Sequence, residues 1–148
     1  MIHSWHLFKR FLGALTATTL TGSERSEVAS LLLPGEHELF IKLTTPDQRH
    51  AIRVLRRFDV IAPDAPVAAR RAALLHDIGK LASNLGTMKR VIASVVGTRL
   101  KSFHTYHHHE RIGSDMLSAV GSDSHTVALV RGDDDAGLIR ELRRADEI

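Results

Sequence analysis

Ala72-Ala73-Leu74-Leu75-His76-Asp77-Ile78-Gly79-Lys80 is the stretch on which the reading of this chain turns. Its first half closes an Ala-rich apolar segment, and the spacing predicts a buried helix over Val67–Ile78. Its second half sets an imidazole and a carboxylate side by side at the end of that helix, with Lys80 three residues beyond the aspartate. In Ala/Leu surroundings such groups cost on the order of several kcal/mol unless each is paired or holds a cation. The doublet therefore asks for a metal, and other parts of the chain must supply the remaining ligands.

Outward from this stretch, nearly every segment has helical rather than alternating periodicity. Trp5–Leu20 reads as a first helix with Leu7, Phe8, Phe11, Leu12 and Leu15 on one side. Ser23–Leu33 follows, opening on the capping pattern Ser23-Glu24-Arg25-Ser26-Glu27 and stopped by Pro34-Gly35. Glu36–Leu43 is a short helix or a strand. Thr45-Pro46-Asp47 opens a helix that runs to about Phe58, and Asp59–Pro66 is a loop. Thr87–Val96, Tyr106–Val120, Ser124–Arg131 and Ala136–Ile148 complete a set of roughly seven to nine helices. The expected fold is a compact all-α domain.

Composition narrows the chemistry. The 148 residues suit one domain with a real core. Cysteine is absent, which excludes disulfides, zinc–thiolate sites and thiol nucleophiles and fits a reducing, cytoplasmic setting. Histidine is the anomaly: there are 10, six of them between His76 and His125. The net charge of +3 comes mostly with arginine and suits an anionic substrate, while aromatics at 5% argue against a nucleic-acid stacking platform. Lys9-Arg10 before Phe11–Leu20 loosely imitates a secretory signal. The threonines within that run and the lack of a small-x-small cleavage site speak against it. No run approaches the ~20 apolar residues of a membrane span.

Helix faces identify partners for the doublet. His50 precedes Val54 by four residues and Phe58 by eight, so it shares their apolar face, whereas Arg49, Arg53, Arg56 and Arg57 occupy another. Asp146 follows Leu142 and Leu138 on the apolar stripe of the last helix. His109 precedes Ile112 and Met116 and also faces inward. Any one of these read alone is more often a hydrogen-bonded core residue than a ligand. Their conjunction is what points to a site, and imidazole with carboxylate suits Mn, Fe, Co, Ni, Zn or Mg. Of the run His107-His108-His109, successive residues point about 100° apart. His109 is assigned to the site, and His104, His107 and His108 are read as exposed.

This pattern resembles the HD-domain superfamily of metal-dependent phosphohydrolases, named for a His…His-Asp…Asp set on an all-α fold. The first histidine looks like His50 in Asp-Gln-Arg-His-Ala-Ile-Arg-Val, the doublet like His76-Asp77, and the last aspartate like Asp146. His109-Glu110-Arg111-Ile112-Gly113-Ser114 is similar to a helix that carries a further histidine in many members. The resemblance covers residues 45–148 as an HD-like metal-binding domain, with 1–44 as an N-terminal helical extension packed on it. Two-metal members commonly have another histidine before the last aspartate. Here that region reads Val130-Arg131-Gly132-Asp133-Asp134-Asp135, either a replacement carboxylate ligand or a solvated turn. The resemblance therefore implies one divalent metal held by His50, His76, Asp77 and Asp146, and disfavours a second.

The implied activity is hydrolysis of a small phosphorylated substrate, a phosphomonoester or nucleotide, with a metal-activated water as nucleophile. Asp77 would bind the metal and orient or deprotonate the water, with His109 assisting. Lys80 reads two ways, as a point charge on a phosphate oxygen or as a helix-end lysine facing terminal carbonyls. Arg49 and Arg53, one turn apart, either extend the phosphate-binding surface or form a solvated face. The alternative is an inactive HD module that binds a nucleotide or metal in regulation. A basic helical domain for nucleic acid or protein ranks behind both, and oligomeric state is not assigned.

Overall fold

The computed structural model describes residues 18–83, 109–133 and 137–147. The helices expected over Trp5–Leu20 and Thr87–Val96, the histidines 104, 107 and 108, and Asp134 lie outside the described residues, apart from the first helix's last three positions. Those three, Thr18 to Leu20, are not helical.

Among the described residues there are α-helices and one 3₁₀ segment, with no strand. The order is α1 (Gly22–Leu31), α2 (Pro34–Phe40), α3 (Thr45–Ile61), α4 (Val67–Leu75), a 3₁₀ turn (Ile78–Ser83), α5 (His109–Ala119), α6 (Ser124–Arg131) and α7 (Leu138–Glu147). The all-α expectation is met.

Local chemistry explains the boundaries. The capping residue of α1 is Thr21, not Ser23. Its hydroxyl accepts from Glu24 N at 3.2 Å, and the Glu24 carboxylate accepts from Thr21 N at 2.8 Å. Thr21-Gly22-Ser23-Glu24 has the Thr-x-x-Glu spacing of a capping box, which the residues starting at Ser23 do not. Pro34 ends nothing of its own; it occupies the first turn of α2, where its missing N–H is harmless. The ambiguous segment after it is therefore helical. Glu36 is fully buried there, accepting from Leu33 N at 2.8 Å and from Ser122 Oγ at 2.5 Å.

α3 starts as expected, capped by Thr44, and runs one turn past Phe58 to Ile61. Its buried face is Ala51, Ile52, Val54, Leu55 and Phe58. α4 buries Ala69, Ala72, Ala73, Leu74 and Leu75, and it stops at Leu75 rather than at Ile78. The two helices pack on each other, α3 also against α7, and α4 against α6. The alanines of α4 allow this close approach. Core residues from Leu20 to Ala145 form one continuous cluster, to which α1 and α2 contribute Val28, Leu31, Leu39 and Phe40.

The 3₁₀ turn after α4 is clamped by α5. A Cβ on Gly79 would lie 1.9 Å from the His109 carbonyl oxygen, and one on Gly113 3.0 Å from Gly79 N. Only glycine at these two places lets α5 lie directly on the turn. Beside Gly113 in α5, the buried Ser114 hydroxyl donates to Arg111 O at 2.7 Å and accepts from Arg131 Nε on α6 at 3.1 Å. α6 closes on Gly132 at φ 86°, with Asp133 N reaching back to Ala128 O at 2.9 Å, a Schellman ending.

Candidate metal centre

The end of α4, the middle of the first half of α3 and the last turn of α7 converge on one spot. His50, His76 and Asp77 each offer a ligand atom there, all within 4.8 Å of one another. The Asp77 Oδ2 lies 3.8 Å from His50 Nε2 and 3.4 Å from His76 Nε2. Asp146 reaches in from α7, its Oδ1 2.8 Å from His50 Nε2 and 3.3 Å from His76 Nε2. The two rings meet edge to face with centroids 5.5 Å apart. The residues named from the sequence as metal ligands are thus brought together from segments nearly a hundred positions apart.

The break between α4 and the 3₁₀ turn is what aims the doublet. His76 keeps helical backbone as the C-terminal cap of α4, and its Nδ1 donates to the Ala73 carbonyl at 2.8 Å. A carbonyl can only accept, so in the neutral ring the proton sits on Nδ1 and the lone pair on Nε2. That Nε2 is buried and, among the described residues, makes no hydrogen bond of good geometry, despite the two carboxylates beside it. A backbone-oriented imidazole, an orphaned inward lone pair and two anionic oxygens form a donor set that fits a divalent cation.

The electrostatics agree. Burial alone would push the His76 imidazole down; the Asp146 carboxylate and the charge of Asp77 outweigh it and hold the ring above its ordinary value. Burial would likewise raise Asp77, but His76 and Lys80 keep its carboxyl below the usual range. Asp146 is held well below that range: His50 and His76 more than offset its own desolvation. The site concentrates negative charge and keeps it ionised.

The remaining sequence candidates fall in different places. Lys80, on the 3₁₀ turn, sets its Nζ 2.7 Å from Asp77 Oδ2 and 3.7 Å from Asp47 Oδ1. It faces the centre through Asp77. Asp47 was missed in the sequence, although it precedes His50 by one turn on the same side of α3. Arg49 is turned to the N-terminal segment. Its guanidinium donates to Glu24 Oε1 at 2.7 Å, Thr19 O at 2.9 Å and Thr18 O at 3.3 Å. With its donors so engaged it fastens α1 to α3. Arg53 is exposed on α3, one turn further on. His109 begins α5 with its backbone against Gly79; its ring is not among the groups gathered within 4.8 Å. Asp133 is exposed in the turn after α6, 3.9 Å from Arg131 Nε.

A family model described as HD domain matches residues 48–148. That is well over half of the chain, and the chain belongs to the HD-domain family, whose members are mostly metal-dependent hydrolases. No curated protein and no solved structure gives a match. No helix among the described residues is long and apolar enough to cross a membrane.

Proposed function

We propose that this member of the HD-domain family is a metal-dependent phosphohydrolase acting on a phosphomonoester or nucleotide. The observation that carries the reading is the buried, unsatisfied Nε2 of His76, oriented by the Ala73 carbonyl toward the Asp77 and Asp146 carboxylates. His50, His76, Asp77 and Asp146 would hold one divalent cation. Bound there, such an ion supplies Lewis acidity toward a phosphoryl oxygen and toward a water. Asp77, ionised and beside both imidazoles, is the group to orient that water and take up its proton. Lys80 sits at the centre as a positive point charge for a phosphate oxygen. Arg53, exposed on the same helix as His50, is the guanidinium proposed for the substrate, and His109 at the start of α5 completes the catalytic set. The same reading takes 45–148 as the metal-binding domain and 1–44 as an extension. The joint core of Leu20, Val28 and Phe40 with α3 and α4 supports packing of one on the other.

The test is metal analysis followed by a substrate screen. Purified protein loaded with Mn²⁺, Co²⁺ or Ni²⁺ should retain about one ion per chain. It should also release phosphate from at least one phosphomonoester or nucleotide, and Asp77→Ala should lose both properties. Metal retention unchanged in Asp77→Ala would overturn the ligand set. Tight nucleotide binding with no turnover under any of these metals would instead make the chain a binding module.

A further inference from the structure

Lys80 is anchored at both ends of a small carboxylate bridge. One end is Asp77 Oδ2, 2.7 Å from the ammonium and also the oxygen that approaches both histidine nitrogens. The other is Asp47 Oδ1 at 3.7 Å. Asp47 is itself held rigidly at the start of α3. Its Oδ2 accepts the Thr44 hydroxyl at 2.9 Å, and its backbone N–H donates to the same hydroxyl oxygen at 3.3 Å. The ammonium thus shares with the proposed cation the one Asp77 oxygen that faces both imidazoles. Two positive charges on a single carboxylate oxygen repel each other, so occupation of the centre must weaken the hold of Asp77 on Lys80.

We propose that Asp47 is a positioning residue: it is the second anchor that retains the Lys80 ammonium beside the centre when Asp77 is committed to a cation. Without it, the lysine is drawn back onto Asp77 and competes with the ion. The capping geometry of Thr44 gives Asp47 this place, since the hydroxyl that starts α3 also fixes the carboxylate that faces Lys80. The inference rests on the metal-centre reading above and adds a residue to it.

A double-mutant cycle tests it. Mn²⁺ affinity is measured for wild type, Asp47→Asn, Lys80→Met and the double variant. Asp47→Asn should weaken Mn²⁺ binding about fivefold when Lys80 is present and less than about twofold in the Lys80→Met background. A loss of the same size in both backgrounds would mean that Asp47 acts only through its own charge or through the helix cap, and would overturn the proposal. The same four proteins are also melted in chelator. There the two substitutions should be non-additive in Tm, and additivity overturns the anchor whether or not the chain binds metal. Failure of the wild type to bind Mn²⁺, with non-additive melting, would strike the metal reading and leave the Asp47–Lys80 anchor standing.

Discussion

His76 is where the opposing forces of this molecule meet in one side chain. Burial disfavours its charged form, and the carboxylates of Asp146 and Asp77 favour it more strongly, so its folded-state value lies above the ordinary 6.5. A raised value means that the stabilisation is full below 6.5 and is lost as pH rises through the folded value. Asp77 has the opposite sign: its contribution is present above the ordinary 3.8 and disappears as pH falls through a lower folded value. In chelator the Tm should therefore decline as the pH is taken from about 6 to about 9, as His76 sheds its proton. Metal reverses this, because a cation needs the bare Nε2 and drives the proton off. With saturating Mn²⁺ the decline should vanish, and in His76→Gln it should be absent even in chelator. A wild-type melting profile that is flat across that range in chelator would show the ring to be neutral and the pairing wrong.

Between α4 and α5 the decisive contact involves two residues without side chains. Gly79 lies so close to the His109 carbonyl that an added methyl would sit 1.9 Å from the oxygen and 2.8 Å from the carbon, both of them backbone atoms that cannot swing away. Gly79→Ala must push α5 off the 3₁₀ turn. It should cost about 2 kcal/mol or more in thermal unfolding and loosen Mn²⁺ binding, since the same turn carries Lys80 and begins beside Asp77. Gly22→Ala, where a methyl meets nothing within 4 Å, is the control and should change little. This contact also marks what the sequence could and could not reveal. The helices were legible because their apolar faces repeat with a helical period; Val54, Leu55 and Phe58 announce α3 by themselves. The stop of α4 at Leu75 was not, because nothing in Leu74-Leu75-His76-Asp77 breaks a helix. The turn is set by a helix more than thirty residues further on that packs on it. Arg49 was visible as a charge beside His50, but its partners Glu24, Thr18 and Thr19 come from another segment. Asp47 was overlooked for the same reason: its meaning lies in Lys80, on a different element.

Across the whole molecule, the centre ties together parts of the chain that lie far apart in sequence. His50 comes from α3, His76 and Asp77 from the end of α4, and Asp146 from the last turn of α7. α3 and α4 are fixed by a deep core in which Val54, Leu55, Phe58, Leu74 and Leu75 are fully buried. α7 rests on that core through the buried Leu142 and Ala145, through Leu138 and Ile139 packed half-buried against it, and through the Arg57 guanidinium, which donates to Ala145 O at 3.3 Å. A short helix held in this way should open by local unfolding long before the whole domain does. A cation shared by Asp146 and the two histidines would fasten it, because a ligand that binds only the closed form stabilises that form in proportion to its saturation, by about 2.7 kcal/mol at a hundredfold excess over Kd. Amide hydrogen exchange should therefore slow selectively in α7 when Mn²⁺ is added, by about two orders of magnitude at that excess, with little change in α1 and α2. In Asp146→Asn the amides of α7 should exchange at the same rate with and without metal, while those of α3 keep their protection. Uniform slowing across all helices would mean that the ion stabilises only the global fold and that the last helix is no more loosely held than the rest.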